Sequence, residues 1–174
     1  MIKNIRHHSA GVAIVEFAII LPLLVVILAG ITELGRALYQ QNTLYKSVSA
    51  GARYLARAAN VIDKTTCVLP TGTAAEATAR NLVIYGEKAA TGSPLLPNLD
   101  SADDTVAQIT ISSNLEDDFP KTDLDGVSVT EDICVISINA EVNFKGIFGE
   151  IVIPFSTIGT FKIRAETEER YIGL

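Results

Sequence analysis

The chain has 174 residues, and its 14 lysines and arginines against 20 aspartates and glutamates give a formal charge of 14 − 20 = −6. Lys3 and Arg6 are the only charged residues in positions 1–11, so the rest of the chain carries 12 − 20 = −8. This balance argues against nucleic acid as a partner, because binding phosphate requires clustered lysine and arginine. The length suits one modest domain plus an anchor.

The first predicted element is an apolar run from Val12 to Ile31 that contains a single carboxylate, Glu16. A helix that crosses a bilayer needs about 20 apolar residues, so residues 12–31 are predicted to be a transmembrane segment. A short basic head precedes the run and consists of Lys3, Arg6, His7 and His8. Positive charge on this side predicts a cytoplasmic N-terminus, with the rest of the chain on the other side of the membrane.

Three interpretations of this run remain open from its composition. It can be a plain signal anchor, or a secretory signal that is cut near Ile27-Leu28-Ala29. It can also be a prepilin-type segment that is cut before the apolar run. Glu16 favours the third interpretation, because a charge inside such a run costs about 2.5–3.5 kcal/mol on insertion scales and the first two give it no use. The alternative for Glu16 is that its side chain reaches the cytoplasmic headgroups.

The residues around Glu16 carry a resemblance to a known family. Gly11 is followed by Val12-Ala13-Ile14-Val15-Glu16-Phe17, then by Pro22 and the stretch Gly30–Tyr39. Over residues 10–57 the chain resembles the TadE-like family, the minor pseudopilins of tight-adherence (Flp) pilus systems. A looser likeness to the family's terminal strand lies at residues 163–166.

The resemblance implies that a membrane prepilin peptidase removes residues 1–11 by cutting between Gly11 and Val12. It implies that Glu16 and Phe17 serve peptidase recognition and assembly with other pilins and pseudopilins. In this scheme Glu16 meets the new Val12 amine of a neighbouring subunit, which offsets the cost of a carboxylate in lipid. The protein would reside in the bacterial inner membrane, with its C-terminal domain periplasmic, and could be incorporated in a pilus used for cell adhesion.

Residues 32–59 are predicted to continue the helix as an amphipathic segment. Apolar residues recur at intervals of three and four, and they form one stripe that should pack on the following domain. The stripe consists of Ile31, Leu34, Leu38, Tyr45, Val48, Ala52, Leu55 and Ala59, with a second line of Ala37, Leu44, Gly51 and Ala58.

Residues 60–174 are predicted to form an extracytoplasmic α+β domain. A helix is expected over Ala74–Tyr85, with Gly86 as its C-terminal cap. Period-two alternation then predicts strands over 107–111, 134–144 and 151–163, the last with Pro154 at an edge and Gly159 as a bulge. The predicted fold class is α+β and pilin-like: a long N-terminal helix packed on a small antiparallel sheet.

Two further features of this domain have alternative interpretations. Cys67 and Cys134 are either a disulfide pair, which an extracytoplasmic location permits, or two buried thiols. The acidic cluster Glu116-Asp117-Asp118 with Asp123–Gly126 is predicted to be a solvated loop, with calcium binding as the alternative.

The predicted function is structural: a minor pseudopilin that takes part in assembling a tight-adherence pilus. No enzyme activity, cofactor or metal is expected, because both histidines precede Gly11 and no phosphate-binding loop is present. The alternative is a membrane-anchored or secreted extracytoplasmic binding module, with a hydrolase as a distant third.

Overall fold

The computed structural model describes residues 9–122, 126, 128–144, 146–147, 151–153, 156–158 and 161–173. The chain divides into two compact units, residues 1–36 and 37–174. The described helices and strands are α1 (Ser9–Arg57), α2 (Ala74–Tyr85), β1 (Ala107–Thr122), β2 (Ser128–Asn143), β3 (Ile151–Ile153), β4 (Ser156–Ile158) and β5 (Lys162–Arg170).

Helix α1 begins at Ser9, three residues before the predicted start, and continues through Pro22. Within the second unit its buried positions recur at intervals of three and four, as expected for one face of a helix. They are Gln40, Leu44, Ser47, Val48, Gly51, Ala52, Leu55 and Ala56.

The predicted stripe on α1 is therefore only partly correct. Val48, Ala52 and Leu55 are fully buried, but the Leu38 and Tyr45 side chains are 62% and 53% exposed. Successive helical residues are about 100° apart, so Tyr45 lies well around the helix from the buried Leu44 next to it. These two residues flank the packed face instead of belonging to it.

Three strands form an antiparallel sheet in the order β1-β2-β5, with β2 in the centre. One face of the sheet is apolar and buried, and it forms a single core with α1 and α2. Its strand residues include Ile136, Ile138, Ala140, Val142, Ile163 and Ala165. This arrangement confirms the predicted α+β fold and the predicted inner face of β2.

Two strand predictions are wrong. Glu116–Asp118 lies in β1 and not in a loop, because pairing with β2 extends to Thr122, with a register shift between Glu116 and Phe119. The predicted strand over 151–163 is divided: β3 and β4 pair as a separate two-stranded sheet, and β5 begins at Lys162. Pro154, Gly159 and Asp123–Asp125 lie outside the described residues.

Helix α2 has the predicted boundaries. Thr73 is its N-cap, with Oγ1 accepting a hydrogen bond from the Glu76 backbone N–H at 3.1 Å. Gly86 ends the helix with a left-handed φ of 74°, a conformation that costs glycine nothing sterically.

Gly51 allows α1 and α2 to approach closely. A Cβ at this position would lie 2.9 Å from Val83 Cγ2 and 3.1 Å from the Ala79 carbonyl oxygen.

We expect Gly51→Ala to lower the free energy of unfolding, because overpacking costs about 1–3 kcal/mol and outweighs the gain of about 1 kcal/mol in helix propensity. Gly35→Ala is the matched control, since its Cβ would meet nothing within 4 Å, and it should not destabilise. Denaturant unfolding in detergent measures both, and an unchanged midpoint for Gly51→Ala would contradict this packing.

Candidate functional site

The N-terminal part of α1 has the properties of a membrane anchor. No side chain from residue 11 to residue 31 is buried, although nearly all are apolar. Among the described residues, one helix is long and apolar enough to span a membrane by length and composition. Such an exposed surface is far larger than soluble monomers tolerate, which suggests that this helix anchors the protein in a membrane.

The predicted cleavage and assembly residues lie together on one exposed part of α1. Val12 and Glu16 are four residues apart in the helix, so they lie one turn apart on the same face. With Gly11, Val15 and Ile19 they line one shallow, open surface. Phe17 follows Glu16, and its side chain is 58% exposed.

Nothing in the described fold requires a glycine at position 11. A Cβ added there would meet no atom within 4 Å. Gly11 is the third residue of α1, and glycine is a poorer helix former than alanine, so neither packing nor helix propensity calls for a glycine there. The basic head at Lys3, Arg6, His7 and His8 lies outside the described residues.

Cys67 and Cys134 form a disulfide, with their Cα atoms 5.3 Å apart. The bond connects the loop after α1 to β2, and both cysteines are buried. Ser113 supports the same loop: its hydroxyl donates to the Cys67 carbonyl oxygen at 2.6 Å and accepts from the Leu69 backbone N–H at 3.0 Å.

Other contacts that hold the second unit together were not predicted from the sequence. The Tyr171 hydroxyl donates to the Ala58 carbonyl oxygen at 3.0 Å and accepts from the Val61 backbone N–H at 3.2 Å. Gln41 Nε2 donates to the Arg164 carbonyl oxygen of β5 at 2.6 Å. Each contact joins residues more than a hundred positions apart, and no local pattern marks such partners.

Two loop carboxylates have a lowered pKa. The Thr65 backbone N–H donates to Asp63 Oδ1 at 2.9 Å and holds the pKa of Asp63 below its ordinary value. The Thr105 hydroxyl, at 2.7 Å, followed by its backbone N–H, does the same for the pKa of Asp103.

These shifts predict a loss of stability in acid. A carboxylate with a folded pKa below its unfolded pKa contributes stability above the unfolded pKa and loses it as the pH falls through the folded pKa. We expect the double variant Asp63→Asn/Asp103→Asn to lose less stability than the wild type as the pH falls below about 4, the range in which aspartate titrates. Unfolding midpoints measured from neutral to acidic pH would test this, and parallel curves for the wild type and the variant would contradict it.

Comparison with known proteins bears on the same segment. A family model described as TadE-like protein matches residues 11–53, which start at Gly11 and include the apolar run and most of α1. No curated protein and no solved structure matches the chain. The N-terminal segment of this chain is therefore similar to TadE-like proteins, and this likeness suggests a role in the Tad pilus system.

Proposed function

We propose that this chain is a minor pseudopilin that takes part in assembling a tight-adherence pilus after a prepilin peptidase cuts between Gly11 and Val12. The observation that carries the proposal is the TadE-like match from residue 11, which covers Val12, Glu16 and Phe17. The exposure of these side chains on one part of α1 supports it, because a peptidase and neighbouring subunits both need access to them.

Cleavage changes the electrostatics of this surface. Hydrolysis of the Gly11–Val12 amide leaves a carboxylate on Gly11 and an amine on Val12. The new terminal amine is a basic group, which is a cation when it is protonated. Each processed chain then presents a cation at Val12 and an anion at Glu16, one helical turn apart.

Two such chains can neutralise each other's charges. An unpaired ion in a medium of low dielectric constant costs several kcal/mol, and pairing offsets this cost. The unprocessed chain lacks the Val12 cation, so Glu16 gains this partner only after cleavage. Processing thereby becomes a condition for packing beside other pilins or pseudopilins in the inner membrane.

The proposal predicts that Glu16→Leu abolishes pilus assembly without removing the protein from the membrane. The variant would be expressed in cells that carry the tight-adherence system but lack their own copy of this protein. We expect few or no pili by electron microscopy, with normal amounts of protein in the membrane fraction. Ile20→Leu is the matched control and should assemble pili like the wild type. Normal pilus numbers with Glu16→Leu would contradict the filament role and favour an anchored binding module.

A further inference from the structure

The sheet of the second unit narrows from three strands to two. Strand β5 pairs with β2 as far as Arg170, and the Tyr171 backbone N–H adds one bond to the Cys134 carbonyl oxygen at 2.7 Å. Beyond this level, β1 and β2 are the only described strands that continue to pair. We call this two-stranded extension the ribbon, and it comprises residues 116–122 of β1 and 128–133 of β2. A two-stranded sheet is marginally stable in water by itself, so the ribbon would gain stability from a further strand.

One edge of the ribbon is open. Consecutive residues of an antiparallel strand direct their backbone N–H and C=O groups to opposite neighbours. Because the Cys134 carbonyl oxygen accepts a bond from Tyr171, the even-numbered residues of β2 face the β5 side. In the ribbon these residues are Ser128, Thr130 and Asp132. No described strand pairs with them on that side, since β5 has already ended.

The other edge of the ribbon is protected against the addition of a strand. The register of β1 shifts between Glu116 and Phe119, with the extra residue in β1, and Pro120 lies opposite Thr130. Because Thr130 directs its backbone groups away from β1, Pro120 directs its nitrogen away from β2, and this nitrogen carries no hydrogen to donate. Bulges and prolines are the devices that block strand edges. Residues 128–133 contain no proline, so only the β2 edge is left fit for pairing.

The charge beside the open edge is opposite to that of the unit as a whole. A cavity of about 330 Å³ lies where β5 ends, and its charged lining residues are Lys64, Asp132 and Arg170, a local balance of 2 − 1 = +1. Residues 37–174 contain 11 lysines and arginines against 18 aspartates and glutamates, which gives 11 − 18 = −7. The net charge of a second copy is therefore complementary to the surroundings of this edge.

The open backbone groups of two copies match each other in one register. A two-fold axis at Thr130 places Thr130 opposite its counterpart and Ser128 of each copy opposite Asp132 of the other, which allows about six backbone hydrogen bonds. Threonine opposite threonine is a favourable cross-strand pair, and no two carboxylates lie opposite each other. An axis at Glu131 would instead place two glutamates opposite each other and would leave Ser128 unpaired.

We propose that the open edge of the ribbon pairs with the same edge of a second copy of this chain. The two ribbons then form one four-stranded antiparallel sheet in which β2 of one copy lies beside β2 of the other. Each ribbon gains the further strands that its stability calls for, and the backbone groups of Ser128, Thr130 and Asp132 gain partners. The pairing uses only residues of the second unit and needs neither cleavage nor a pilus.

Cross-linking through a single introduced cysteine tests the pairing. In Thr130→Cys the new thiol lies opposite its counterpart in the second copy, at a Cα–Cα distance of about 5.5 Å that suits a disulfide. The native Cys67 and Cys134 are already bonded to each other. The full-length variant would be purified in detergent and treated with a mild oxidant. We expect most of the chain to run as a disulfide-linked dimer on a non-reducing gel.

Thr110→Cys is the matched control for chance collisions and for association through other surfaces. Thr110 is exposed on the same sheet but pairs with Asn139, outside the ribbon. We expect this variant to run as a monomer under the same conditions. Equal cross-linking of the two variants, or none in Thr130→Cys, would overturn the proposal. A cross-link of Thr130→Cys in intact cells to a different protein, and not to itself, would also overturn it.

A proline at position 130 separates loss of pairing from loss of folding. The Thr130 N–H points to the open edge, so its removal deletes no bond between β1 and β2. One chain would carry Ser128→Cys, and a second chain with an affinity tag would carry Asp132→Cys. We expect mixed dimers of these two chains, and a several-fold loss of them when both also carry Thr130→Pro, with an unchanged unfolding midpoint. Mixed dimers that persist with Thr130→Pro would show that the two edges do not pair.

Discussion

Replacing Gly11 with valine should stop removal of residues 1–11, so that only the uncut chain accumulates in the membrane. A Cβ at position 11 would meet no atom of the described chain within 4 Å, so the substitution has no cause to disturb folding. Replacing glycine in the first turn of α1 is not expected to weaken the helix, because valine is a better helix former than glycine. A loss of processing would therefore arise in the peptidase, where the new side chain must fit beside the bond that is cut.

Intact-mass measurement of protein extracted from the membrane distinguishes the cut and uncut chains. Gly30→Val is the matched control, because a Cβ there also meets nothing within 4 Å and the residue lies in the same helix. We expect this control to be processed like the wild type. Normal processing of Gly11→Val, or equal loss in both variants, would contradict a specific role for Gly11.

The disulfide between Cys67 and Cys134 should contribute strongly to the stability of the second unit. Cys67 and Cys134 are separated by 67 residues, and closing a loop of this size is worth on the order of 4 kcal/mol in the chain-entropy model. We expect Cys67→Ser/Cys134→Ser to lower the free energy of unfolding by about that amount, since the loop after α1 is then tied to β2 by noncovalent contacts alone.

Chemical denaturation with and without a reductant measures this contribution. The wild type in reductant should unfold at nearly the same denaturant concentration as the double serine variant. The variant itself should not respond to the reductant, which controls for effects on other parts of the chain. Identical midpoints for the oxidised wild type and the variant would show that the bond does not stabilise the fold.

Elements with a strong local pattern could be predicted from the sequence. The alternation from Cys134 to Phe144 correctly identified the buried face of β2, because side chains in a strand alternate between the two faces. Gly86 correctly marked the end of α2. The likeness of the N-terminal segment to the TadE-like family was recognisable for a similar reason. Gly11, Glu16 and Phe17 lie close together in the sequence, so the pattern they form does not depend on tertiary contacts.

Features that depend on distant partners could not be predicted. Glu116 has low strand propensity, and only its pairing with Ile133 of β2 places it in β1. Leu38 and Tyr45 fit an apolar stripe, but which part of the stripe is covered depends on how the sheet packs on α1. Gln41 interrupts the same stripe, yet its side chain donates a hydrogen bond to the Arg164 carbonyl oxygen of β5.

The residue at the N-terminus of the mature protein tests the central claim most directly. The full-length protein would be expressed in cells that contain a prepilin peptidase, extracted from the membrane and identified by intact mass and N-terminal peptide sequencing. The proposed function predicts Val12 as the first residue. A chain that still begins at Met1, or one that begins at Gly30 after cleavage behind Ala29, would contradict it.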